Sequence, residues 1–171
     1  LQLISQMVKG KVFQQVETRK IVLPRIIEEL QYHFNKESSE RHICIEIFAG
    51  LMQASQKVAS SDIDAIKDSL YSIFTLIPHC KEAIAPLRDA VADLKKQAKA
   101  VQQEAVKKEL EKNEKSLSTL MTSLLTLLHL YRAESLLQYH CERDEATASG
   151  MNLDTIKQFY YLQQVFLGDD H

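Results

Sequence analysis

The chain has 171 residues, 45% of them hydrophobic and 26% charged, and a net charge of −2. That length suits one well-buried domain and is short for two. The composition excludes disorder, the charge excludes a global basic field that would draw the chain to nucleic acid, and four glycines with three prolines are too few for an all-β fold of tight turns.

Residues 1–19 place Ile4, Val8, Val12 and Val16 four apart, with Met7 and Phe13 beside them, which predicts a helix weakened only at Gly10. Pro24 interrupts the pattern and suits the first turn of a second helix, where a missing N–H costs nothing. Ile26, Ile27, Leu30 and Phe34 are that helix's expected buried face. Residues 35–39 read as a loop, with Ser39 as N-cap of a third helix that runs to about Val58. It turns Cys44, Ile47, Phe48, Leu51 and Met52 inward. Ile43, Ile45 and Ile47 also alternate as a strand would, but the apolar pattern continues past Phe48 at helical spacing. Ser61 and Asp64 make a variant capping box. Ile63, Ile66, Leu70, Ile73, Phe74 and Ile77 then share an arc of about 100°, the clearest helix in the chain, and Pro78 is expected to end it.

Residues 87–149 contain neither Gly nor Pro and are rich in Ala, Leu, Lys, Glu and Gln, residues that lose little on entering a helix. Leu87, Val91, Leu94, Ala98, Val101 and Ala105 form a heptad seam. Val106, Leu110, Leu117, Leu120, Leu124, Leu127 and Tyr131 follow the same rule in a shifted phase, and seven of the nine residues 107–115 are charged. Two architectures fit. One is a single helix, roughly 90 Å long at about 1.5 Å per residue, with the slip absorbed as local overwinding. The other is an antiparallel hairpin that turns near Asn113, with Ser116 as the next N-cap. Gly150 stops the run, Asn152 caps a last helix over 153–167, and Gly168 with the tail of Asp169, Asp170 and His171 closes the chain. The expected fold is all-α: a bundle of five to seven helices in a single domain, residues 1–171, with the hairpin or the long helix over 86–148 as its spine.

Lys115 and Arg132 bracket sixteen uncharged residues. Leu117, Leu120, Leu124, Leu127 and Tyr131 lie on one side of that stretch, and Ser116, Ser118, Thr119, Thr122, Ser123, Thr126 and Leu130 on the other. A solvent face normally carries Lys or Glu, so the hydroxyl face points either to a central helix packed on both sides or to a partner groove carried by Thr119, Ser123, Thr126 and Leu130. The stretch is short of the roughly 20 residues a membrane span needs. Lys95, Lys96, Lys99, Lys107, Lys108, Lys112 and Lys115 form a basic cluster diluted by Glu104, Glu109, Glu111 and Glu114. It reads as a solvated coiled-coil face, or as an anionic-lipid contact through Lys107, Lys108, Lys112 and Lys115.

Cys44, Cys80 and Cys141 are an odd number with no C-x-x-C pair, which fits reduced thiols in the cytoplasm better than a disulfide framework. Each has a histidine near it in sequence, His42, His79 and His140, but adjacent helical residues point about 100° apart and do not chelate one ion. Glu29 and His33 share a helix face as a lone i, i+4 pair. No phosphate loop, dinucleotide loop, zinc-protease or serine-hydrolase motif is present. The expected last helix is apolar nearly all round, through Ile156, Phe159 and Tyr160 on one side and Tyr161, Leu162 and Val165 on the other. The chain starts at Leu1 inside an apolar repeat and reads as part of a longer protein. The reading is a non-catalytic interaction or scaffolding module without metal or cofactor, whose partner is another protein or another domain of the parent chain, with no nucleic acid. A membrane-binding or membrane-shaping helical homodimer and a segment of an α-solenoid over residues 24–77 are the alternatives.

Overall fold

The computed structural model describes residues 1–10, 16–61 and 67–141, together with residues 161 and 164. These residues form α1 (Gln2–Lys9), α2 (Val16–His33), α3 (Ser38–Ser61), α4 (Lys67–Phe74), α5 (Ile77–Ala100) and α6 (Glu104–Cys141), with no strand among them. The protein is an all-α bundle.

α1 is shorter than its apolar spacing predicts. It ends at Gly10, whose φ of −77° and ψ of 153° take the chain into extended backbone while its N–H still reaches the Met7 carbonyl. Val12 and Phe13 lie outside the described residues, and Val16 belongs to α2 and not to α1. α1 lies against α3 at Gly50. A Cβ on Gly50 would stand 2.6 Å from Val8 Cγ1, so the glycine is what lets the two backbones approach.

Pro24 was expected to start a helix, but it sits in the middle of α2. Its ring removes one helical hydrogen bond, the one to the carbonyl four residues earlier. Lys20, Ile21, Pro24 and Arg25 are all exposed, so water can serve the released carbonyl. Arg19, Leu23, Ile26, Ile27 and Leu30 are buried on the opposite face, and their packing carries the helix through. α3 matches its predicted inward face: Cys44, Ile47, Phe48, Leu51 and Met52 are at most 1% exposed. It begins at Ser38, one residue before the expected cap.

α4 is described from Lys67 onward, and Ile63, Ile66 and Asp64 lie outside the described residues. Leu70, Ile73 and Phe74 are buried, and the Phe74 ring lies 5.0 Å from that of Tyr131 on α6. Pro78 does not end this helix. Thr75 and Leu76 make the turn, and Pro78 falls in the first turn of α5, where its missing N–H has no intrahelical acceptor to lose. Pro86, the expected start of the long run, is likewise inside α5 on its exposed side, while Ile84 and Leu87 are buried.

The run of residues 87–149 does break, at residues 101–103 and not near Asn113. Val101 is extended, with φ −136° and ψ 116°, and the three-residue connection folds α6 back along α5 as an antiparallel pair. Asn113 stays helical, buried in α6, with its Nδ2 donating to the Glu109 carbonyl at 2.8 Å. α6 then packs on α3 and α4 as well as α5, bringing Leu120, Leu124, Leu127, Leu128 and Tyr131 into the shared core. Of the expected last helix, Tyr161 and Gln164 are among the described residues. Tyr161 is half-buried against that core, with Lys81 Nζ 5.0 Å from its ring centre.

Candidate functional site

The uncharged face of α6 meets α3. Ser123 is 4% exposed, and its hydroxyl donates to the Thr119 carbonyl at 2.7 Å. Thr126 does the same to the Thr122 carbonyl at 3.1 Å. These back-bonds satisfy the hydroxyls within the helix and leave no polar group stranded. Ser116 is buried and hydrogen-bonded to His42 of α3. Between these contacts the helices part to leave a groove of about 230 Å³. Ala49, Met52, Gln53 and Gln56 line it from α3, and Ser118, Thr119, Thr122, Ser123 and Thr126 from α6. None of these side chains is ionisable. Of the predicted partner face, Thr119, Ser123 and Thr126 border this groove, while Leu130 is buried in the core.

A second cleft, of about 390 Å³, lies where the start of α3 meets the α5–α6 pair. Ser38, Ser39, His42, Asp93, Glu109 and Lys112 are among its lining residues. His42 is held there by Ser116. Burial depresses its pKa, Lys112 and Arg41 depress it further, and Glu109 and Glu46 oppose them. The sign follows directly. The folded state binds fewer protons at His42 than the unfolded state, so stability rises with pH below about 6.5 and this contribution is complete above it. Thermal midpoints measured between about pH 5 and 7 should fall on acidification, and His42→Gln should lessen that fall. Equal acid sensitivity in both proteins would assign the effect to other groups.

Lys107, Lys108, Lys112 and Lys115 are all exposed on α6. Lys112 turns toward the His42 cleft, and Glu114 beside Lys115 lies 3.9 Å from Lys95 of α5. His33 does more than the predicted pairing with Glu29. Its Nε2 lies 3.3 Å from Glu29 and its Nδ1 lies 3.1 Å from Glu40, tying the end of α2 to the start of α3.

Cys44 and Cys80 are buried free thiols. Burial raises the Cys44 pKa to about 12 and pushes Cys80 up as well, so neither supplies a thiolate at neutral pH. Among the described residues no group of three or more His, Cys, Asp and Glu side chains could hold a metal ion, and the side chains of His140 and Cys141 lie outside them. No described helix is long and apolar enough to cross a membrane.

Buried polar residues that escaped the sequence reading include Ser5, Ser55 and the charged Arg19. Arg19 is 2% exposed and donates from Nη2 to Ser55 Oγ at 2.9 Å, joining α2 to α3. Its phase was readable, since residues 19, 23, 26, 27 and 30 form one helical stripe once Pro24 is allowed inside the helix. Comparison with family models, with curated proteins and with solved structures gives no match.

Proposed function

We propose that the chain is a non-catalytic helical interaction module of the cytoplasm, and that the α3–α6 groove receives a segment of another protein. The groove carries this reading. Its volume of about 230 Å³ is below the roughly 300–1,000 Å³ of small-molecule sites. Its Ala49 surface between hydroxyl and amide side chains suits an uncharged helix with small residues, which can approach closely and exchange hydrogen bonds. Two buried thiols suit a reducing compartment. The packing of α3 on α6, distant in sequence, favours a closed bundle over a one-dimensional solenoid stack.

A photo-crosslinking residue at exposed Thr122 tests this in cells, with one at exposed Gln6 as control. A discrete adduct at 122, lost on Thr126→Arg and absent at 6, is expected. Thr126→Arg should also leave the free energy of unfolding within about 0.5 kcal/mol of wild type, because Thr126 is only half-buried at the groove rim. Indistinguishable adducts at both positions would refute a partner-specific groove.

A further inference from the structure

No core residue lies between Leu87 and Asn113. About 20 Å of α5, at about 1.5 Å per residue, therefore extends past its last core contact. The first turns of α6 accompany it. The tip of this pair has a composition unlike the rest of the chain. Residues 95–108 carry five lysines and one carboxylate, Glu104, a local charge of +4 on a chain whose net charge is −2. The tip is therefore a local basic patch on a chain that is acidic elsewhere.

The helical phase sharpens the patch. Arg88, Lys95, Lys96 and Lys99 share an arc of about 100° on α5 with Ala85 and Ala92, and no α5 carboxylate enters that arc, although Lys95 at its edge lies 3.9 Å from Glu114 of α6. All six are exposed. On α6, by contrast, Glu104 and Glu111 share the face of Lys107 and Lys108. The cleaner basic surface is thus the α5 stripe, carried by Arg88, Lys96 and Lys99 with Lys95 at its α6 edge, rather than the α6 lysines that sequence alone favoured. The stripe ends at Val101, which is 48% exposed at the apex of the connection. The apex is internally bonded. The N–H groups of Val101, Gln103 and Lys107 donate to the carbonyls of Gln97, Val101 and Gln103 at 2.8, 3.0 and 3.2 Å. It can approach an apolar layer without exposing those donors.

We infer that this hairpin tip docks on an anionic lipid bilayer, the α5 stripe lying against the headgroups and Val101 entering the interface. Flexible lysines around one aliphatic side chain fit a fluid anionic surface. A nucleic-acid site would call for arginine forks and stacking aromatics, and residues 88–112 hold one arginine and no aromatic residue.

The test is co-sedimentation of the full chain with phosphatidylcholine vesicles that contain phosphatidylserine, at low and at high salt. Binding is expected only with phosphatidylserine, and high salt should abolish it. The triple change Lys95→Gln, Lys96→Gln and Lys99→Gln should weaken partitioning by roughly a hundredfold, at about fivefold per lysine. The pair Lys112→Gln and Lys115→Gln, nearer the bundle, should cost much less. Val101→Asp should weaken binding to a lesser degree than the triple change. All these side chains are exposed, so unchanged melting midpoints are expected. Failure of the wild-type chain to sediment at low salt would overturn the inference. Equal losses from the two lysine sets, or tighter binding to duplex DNA than to the vesicles, would overturn it too. The groove reading stands or falls separately, because Thr122 and Thr126 are untouched by these variants.

Discussion

Leu70→Ala is expected to lower the free energy of unfolding by about 2–5 kcal/mol in chemical denaturation, because truncation removes buried methyl groups and leaves a cavity that neighbours only partly fill. Leu70 is 0% exposed. It belongs to α4, which packs against α2 and α6. The loss should therefore reach beyond the cavity, loosening the contact of Phe74 with Tyr131. Ile21→Ala is the matched control. Ile21 is 79% exposed, and its truncation should stay within about 0.5 kcal/mol. A cost below about 1 kcal/mol at Leu70 would mean that α4 does not close the core.

The inward face of α3 was legible because a 24-residue helix repeats its apolar signal often enough to override the local alternation of Ile43, Ile45 and Ile47. The prolines misled for a physical reason. Pro24 and Pro86 suit a first turn by local rules, but both lie on exposed helix sides where a lost hydrogen bond is replaced by water, and packing on the far side decides the outcome. Only Pro78 takes the first-turn place, and there it opens α5 where it was expected to close α4. In the long run, two signals competed for the turn. The charge density around Asn113 marked nothing but a solvated helix surface. The slip of the apolar seam between Ala105 and Val106 fell within a few residues of the true break at residues 101–103, because a change of phase records a change in which face meets the partner helix.

The groove was half legible. An uncharged Ser and Thr face says that something packs closely there. It does not say how much of the face α3 covers, since that depends on residues more than sixty positions away. The buried Arg19 to Ser55 bond and the His42 to Ser116 bond are likewise long-range pairings that no local pattern encodes. His33 shows the same limit: Glu29 is visible at i, i+4, whereas Glu40 comes within reach only after the chain turns at residues 34–37.

Ser123→Glu is expected to destabilise the fold by several kcal/mol at neutral pH, as burying an ion without a partner does, while Thr122→Glu one position away should melt like wild type. The two positions differ by about 100° around α6, and the structure makes that rotation decisive: Ser123 is 4% exposed and Thr122 is exposed. At 123 the carboxylate would stand where α6 faces Ala49 and Met52 of α3, with no cation among the groove-lining residues. Burial would favour its neutral form and raise its pKa above the ordinary value of about 4.3. The folded variant would then bind more protons than the unfolded one, so the deficit should shrink as pH falls from neutral toward about 4.3. Melting curves of both variants against wild type, followed across that range, check each part. An unshifted midpoint for Ser123→Glu would show that the groove opens to water down to its floor and that α3 does not seal this face of α6. A deficit that stayed constant with pH would point to crowding by the longer side chain instead of buried charge. Thr122→Glu places a carboxylate at the groove mouth of an intact fold, so loss of the Thr122-region partner contact without loss of stability separates binding from packing at neighbouring positions on one helix.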